Sequence, residues 1–69
     1  MQDWRQTYKR ILSLVQTGKL EKAFEEAERA VQTHTAIYPL WELFGVAARQ
    51  TNRQTLAISA LEHAVAIDP

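Results

Sequence analysis

Residues 41–69 read WELFGVAARQTNRQTLAISALEHAVAIDP, and this stretch decides the fold. Apolar residues recur in it at intervals of three and four, both before and after the polar segment 51–54. Such intervals place side chains on one face of an α-helix. Asn52 in the polar segment can adopt the left-handed backbone conformation that ends a helix. The stretch therefore predicts two helices joined by a tight turn, the second ending at Asp68-Pro69.

The preceding residues predict a second pair of helices. Apolar residues follow helical intervals over residues 4–17 and again over about 20–32. Gly18 lies between these runs, and glycine takes the left-handed conformation at low cost. Pro39 disfavours helix at the residue before it but is tolerated in the first turn of a helix. Residues 33–37 are thus predicted to connect the two pairs, with the third helix beginning near Pro39.

The two halves of the chain share a residue pattern at an offset of 34 positions. Six pairs of identical residues coincide at this offset: Gln16 with Gln50, Thr17 with Thr51, Ala23 with Ala57, Glu28 with Glu62, Ala30 with Ala64, and Val31 with Val65. Gly18 coincides with Asn52, so the two predicted turns align. Self-similarity at a fixed period is the signature of stacked helical hairpins.

The period and the residue pattern resemble the tetratricopeptide repeat, a helix–turn–helix unit of about 34 residues. The second half matches better, through Trp41, Phe44, Gly45, Ala57, Leu61, Ala64 and Asp68-Pro69. The first half is degenerate, with Thr7 at the position of the tryptophan and Thr35 at that of the proline. The resemblance implies an all-α fold of four antiparallel helices, stacked as two helix–turn–helix repeats in a fragment of an α-solenoid. It implies one domain over residues 1–69, with a first repeat at 4–37 and a second at 38–69.

Small residues recur where the two helices of a repeat would approach each other. They are Ala23, Ala30, Gly45, Ala57 and Ala64. Two helices come close only where their side chains are small, and larger residues such as Trp41, Phe44 and Leu61 fill the remaining space. Bulkier residues at Ala57 or Ala64 are expected to overpack the unit.

The resemblance also implies a binding groove on the concave surface, lined by the first helix of each repeat. Its residues would be Arg5, Tyr8, Leu12, Val15, Gln16, Glu42, Val46, Arg49 and Gln50. An apolar strip edged by charged residues suits an extended or helical peptide with apolar anchors. The alternative is that Leu12, Val15 and Val46 simply pack on neighbouring helices.

The fourth helix is apolar on an unusually wide face. In a longer array, the next repeat would cover its outer face, here Ile58, Leu61 and Val65. An exposed apolar patch of this kind usually marks a contact surface. Three interpretations remain open: the chain is a fragment of a longer protein, it self-associates through this face, or its own helices cover the face.

Composition excludes several classes of protein. The 69 residues carry eight Lys+Arg against eight Asp+Glu, which argues against nucleic-acid partners and against a polybasic membrane face. No apolar run approaches the length of a membrane span, and the N-terminal residues show no signal peptide. The chain has no cysteine, and its two histidines lie far apart, so neither a disulfide nor a zinc site is expected. These features favour a cytoplasmic chain.

No catalytic constellation is evident in the sequence. Ser59 and His63 share a helical face, but that spacing is common and no third group orients the histidine. We therefore predict no enzyme activity, no cofactor and no metal. The predicted function is that of a scaffolding module for a protein or peptide, with a homo-oligomer or further repeats of a parent chain as other partners. The alternatives are a targeting or oligomerisation segment of a larger enzyme, such as a glycosyltransferase, and a purely architectural unit.

Overall fold

The computed structural model describes residues 3–67, which form four α-helices and no β-strand. The helices are α1 (Trp4–Gln16), α2 (Leu20–Thr33), α3 (Tyr38–Gln50) and α4 (Gln54–Ile67). The predicted all-α fold of paired helices is confirmed, and the helix ends differ from the predicted ones by about a residue. The predicted stop at Asp68-Pro69 lies outside the described residues.

Each helical pair closes with the same turn. Gly18 and Asn52 both have positive φ, at +81° and +64°. The amide of Lys19 donates to the carbonyl of Leu14 at 2.9 Å, and the amide of Arg53 donates to that of Ala48 at 2.7 Å. These bonds satisfy carbonyls that the end of a helix would otherwise leave unpaired.

The threonines before these two turns, Thr17 and Thr51, also form equivalent hydrogen bonds. The hydroxyl of Thr17 donates to the carbonyl of Ser13 at 2.9 Å, and that of Thr51 donates to the carbonyl of Ala47 at 2.8 Å. The offset of 34 positions found in the sequence is thus reproduced in the hydrogen bonds of both helix ends.

Consecutive helices pack on one another, and α1 also contacts α3. The buried hydrophobic residues are Ile11, Ala23, Phe24, Ala27, Ala30, Val31, Leu40, Leu43, Phe44, Ala47, Ala48, Ala57, Ala60 and Ala64. Alanine is the commonest of them, and the four alanines predicted to allow close approach are all buried. A Cβ added at Gly45 would lie 3.3 Å from Leu61 Cδ2 and 3.6 Å from the carbonyl oxygen of Ala57. The predicted role of small residues between the helices is confirmed at this contact.

Helix α4 buries three of its alanines and exposes its large apolar residues. Ala57, Ala60 and Ala64 face the core. The large apolar residues of the helix are exposed: Leu56, Ile58, Leu61, Val65 and Ile67. Within residues 3–67, α3 is the only helix that packs closely on α4. One neighbour can cover one side of a helix, so the other sides of α4 stay open to solvent.

Candidate interaction surfaces

The residues predicted to form a groove lie on α1 and α3, two helices in mutual contact. Arg5, Gln16, Glu42, Arg49 and Gln50 are exposed. Tyr8, Leu12, Val15 and Val46 are half-buried, and the first three of these pack against the core. Part of each apolar side chain is therefore used in packing, and the exposed remainder is what a ligand could contact.

Two charged residues of this groove surface, Glu42 and Arg5, contact neighbouring side chains. The hydroxyl of Tyr38 donates to Glu42 Oε2 at 3.1 Å. The guanidinium carbon of Arg5 lies 5.6 Å from the centre of the Trp4 ring, and Arg5 Nη1 lies 3.7 Å from a carboxylate oxygen of Asp3. Both sets of contacts are exposed, so each contributes little free energy. They orient Glu42 and Arg5, and a ligand could replace them at a small cost.

The outer face of α4 consists of Ile58, Leu61 and Val65, the three residues that the sequence singled out. Their exposed fractions are 61%, 47% and 59%. Together with Glu62 they line a shallow depression of about 370 Å³. Leu56 and Ile67 lie about three helical turns apart on a different flank of α4, because each residue advances about 100° around the axis. The outer face is thus a separate patch, with one carboxylate at its edge.

The same face of α2 is covered. At the offset of 34 positions the outer face corresponds to Phe24, Ala27 and Val31, which are all buried. Helix α3 packs on α2, and the ring of Phe44 lies 5.4 Å from that of Phe24, centre to centre. The first hairpin therefore shows what covers such a face in this protein, namely a helix that presents an aromatic residue.

One polar contact between the two hairpins was missed by the sequence analysis, which placed Arg53 only in a polar break. Its guanidinium donates twice to the carboxylate of Glu21, at 3.1 and 3.0 Å. It also lies 4.0 Å from the centre of the Phe24 ring. The hydrogen bond from Arg53 lowers the pKa of Glu21, and the reciprocal bond raises the pKa of Arg53. No local sequence pattern predicts this contact, because Glu21 and Arg53 are far apart in the sequence.

His63, the residue considered for catalysis, makes two contacts that fix the position of its ring. Its Nδ1 donates to the backbone carbonyl of Ser59 at 2.9 Å, and its ring stacks on Trp41.

Residues 3–67 contain no group of three or more His, Cys, Asp or Glu side chains placed to hold a metal. No helix in that range is long and apolar enough to cross a membrane.

A polar depression of about 300 Å³ lies between α1 and α2, lined by Thr7, Arg10, Glu26, Arg29, Ala30, Thr33 and His34. Arg10 Nε donates to Glu26 Oε1 at 2.7 Å across it. This ion pair joins α1 to α2, so the depression is part of the contact between the two helices of the first hairpin.

The structure thus defines an all-α protein of two helical hairpins with a bare apolar face at one end. Comparison with known proteins gives no match: no family model fits the chain, and no curated protein or solved structure is detectably similar to it.

Proposed function

We propose that this chain is a protein–protein interaction module built of two tetratricopeptide-like repeats. The observation that carries the proposal is the outer face of α4, where three large apolar side chains lie open to solvent. Contiguous apolar patches on a protein surface commonly mark sites of contact with another molecule. A chain of this size also has little core to spare, because small single domains are marginally stable.

The repeat assignment is supported by equivalent residues that play equivalent parts. Gly18 and Asn52 take positive φ, and Thr17 and Thr51 close their helices with the same hydroxyl bond. Degenerate outer positions do not weaken this likeness, because the turn and the buried alanines set how a hairpin closes. In repeat arrays each unit contacts its neighbours through such faces.

Two surfaces share the proposed function. The groove surface on α1 and α3 binds a peptide or helix, and the outer face of α4 binds a neighbouring repeat or subunit. Binding, and not catalysis, is the role of the chain in this proposal. The same surfaces would serve equally in a targeting or oligomerisation segment of a larger enzyme, such as a glycosyltransferase. The cytoplasmic location stays a prediction, supported by the absence of cysteine.

Affinity capture with the purified chain tests the proposal. The groove variant exchanges two exposed charges, Glu42→Arg with Arg49→Glu, and the face variant is Ile58→Glu. The control exchanges two exposed charges of α2, Lys22→Glu with Glu25→Arg. We expect a set of proteins from the source cells to be retained by the parent and the control and lost with one of the two surface variants. Identical retention by all four chains would contradict the proposal.

A further inference from the structure

We propose that the outer face of α4 binds the same face of a second copy of this chain, as an antiparallel helix pair about a two-fold axis. This inference rests on the proposed interaction function and names the partner at one of its two surfaces. It is carried by the equivalence of the two hairpins, by the polarity of α1 and by the charge of the chain.

A helix is the cover that the outer face requires. The equivalent residues Phe24, Ala27 and Val31 of α2 are buried, and α3 packs on this helix with Phe44 against Phe24, whereas Ile58, Leu61 and Val65 are open. The two faces have the same spacing along their helices, so a helix fits both. A single helix also matches the shallow depression between Ile58 and Val65.

Helix α1 of a second copy cannot be that cover. Helix α3 buries six residues, and four of them, Leu40, Leu43, Phe44 and Ala47, correspond to the polar Gln6, Lys9, Arg10 and Ser13 of α1. All four of these residues of α1 are exposed. Head-to-tail stacking would set Arg10 on Ile58 and would compete with the ion pair between Arg10 and Glu26. Burying a charged group without a partner is unfavourable, so copies do not add end to end.

Helix α4 is suited to pair with itself. A two-fold axis near Leu61 and Glu62 places Ile58 of each copy opposite Val65 of the other, and it brings the two Leu61 side chains together. Self-complementary patches of this kind give closed dimers. The formal net charge of the chain is zero, so no long-range repulsion separates two copies. Glu62 is the only formally charged residue of α4 when histidine is neutral, and its like-charge repulsion across the axis weakens the pair.

The dimer is expected to be weak. Helix α4 has 14 residues and is therefore about 21 Å long. One helix-on-helix contact of that length covers less than the roughly 800 Å² per partner of a standard stable interface. Association is expected at about 0.1 mM, in the range of small transient contacts.

Sedimentation equilibrium from 10 μM to 1 mM tests the inference with the full chain. We expect the mass to rise from 7.9 kDa towards twice that value and to stop there. Ile58→Glu should keep the monomer mass at every concentration. Leu56→Glu is the matched control, since it places the same charge on an exposed residue of α4 but on the other flank, and it should still dimerise. Glu62→Gln should tighten the dimer several-fold.

Several outcomes would overturn the inference: a monomer mass at 1 mM, a dimer unaffected by Ile58→Glu, or a mass that grows past two copies without a plateau. Circular dichroism confirms that each variant is helical. A chain that stays monomeric but captures another protein through Ile58 would overturn only the second copy as partner. Loss of both behaviours would overturn the proposed function of this surface as well.

Discussion

The rings of Trp41 and His63 stack face to face, with centres 4.4 Å apart and planes within 9° of each other. Trp41 Nε1 also donates to the carbonyl of Thr35 at 2.9 Å, and its ring meets the edge of Phe44 with centres 6.1 Å apart. One tryptophan thus contacts the connection between the hairpins, the core and α4. The position is the one at which the first half of the chain has Thr7.

Replacing His63 by alanine is expected to destabilise the protein. The stacked pair should contribute about 0.5–1.5 kcal/mol beyond simple burial, and the lower end applies because His63 is exposed. Urea unfolding measures the difference. His34→Ala is the control, since His34 has no ring partner, and it should stay within about 0.5 kcal/mol of the parent. Equal effects of the two changes would show that the stack contributes nothing.

Gly45 tests how closely α3 and α4 approach. A single methyl there would lie 3.3 Å from the side chain of Leu61. Leu61 is about half exposed and can move, while alanine favours helix over glycine by about 1 kcal/mol. Gly45→Ala is therefore expected to be nearly neutral, and Gly45→Val to cost about 1–3 kcal/mol by overpacking. Thermal or urea unfolding of the two variants decides; a neutral valine would mean that the helices separate without cost.

Ala64 and Ala66 form a matched pair on α4, one buried and the other exposed. Ala64→Leu inserts atoms between two packed helices and should cost about 1–3 kcal/mol. Ala66→Leu adds the same atoms in solvent and should change the free energy of unfolding by less than about 0.5 kcal/mol. Both are measured at micromolar concentration to keep the chain monomeric. The reverse order of the two effects would contradict the assigned orientation of α4.

Gly18 has positive φ in open space, since a Cβ there would meet nothing within 4 Å. Any cost of substitution is therefore a cost of backbone conformation alone. Gly18→Ala should destabilise by about 1 kcal/mol, whereas Gly18→Asn should cost less, because asparagine tolerates this conformation and Asn52 already adopts it. Equilibrium unfolding in urea ranks the parent, Gly18→Asn and Gly18→Ala by their free energy of unfolding. An alanine variant as stable as the parent would rule out the positive φ.

The ion pair of Glu21 and Arg53 gives stability a dependence on pH. Arg53 lowers the pKa of Glu21 in the folded state below its ordinary value of 4.5. The stabilisation is therefore complete above the unfolded-state pKa and is lost as pH falls through the folded-state pKa. We expect the urea midpoint to fall more steeply below pH 4.5 in the parent than in Glu21→Gln. Glu25→Gln, which removes an exposed carboxylate from the same helix, should leave the steeper fall unchanged.

The helices and their ends could be predicted because their signals are local. Gly18, Asn52 and Pro39 act on their own backbone or on that of an adjacent residue, and the interval between apolar residues reports the buried face directly. The exposure of apolar residues on α4 could also be predicted from the sequence, because large apolar residues lie on several sides of that helix and one neighbouring helix cannot cover them all. The repeat offset then predicted which alanines lie between helices.

The contacts of Arg53 and His63 could not be predicted in the same way. Each joins residues separated by a whole helix or more, Arg53 with Glu21 and His63 with Trp41. Both lie on surfaces that a polar pattern describes simply as solvated. Arg53 meets Glu21 through the relative placement of the two hairpins, and His63 meets Trp41 through the packing of α4 on α3 within the second hairpin. Both placements depend on core packing.

The predominance of alanine among the buried residues has a consequence for how the protein responds to temperature. Alanine hides little apolar surface, and the heat capacity change of unfolding scales with the apolar surface that becomes hydrated. The increment per residue should therefore fall below the usual 12–15 cal/mol/K. A small increment flattens the stability curve, so this chain should melt over a broad range and resist cold denaturation.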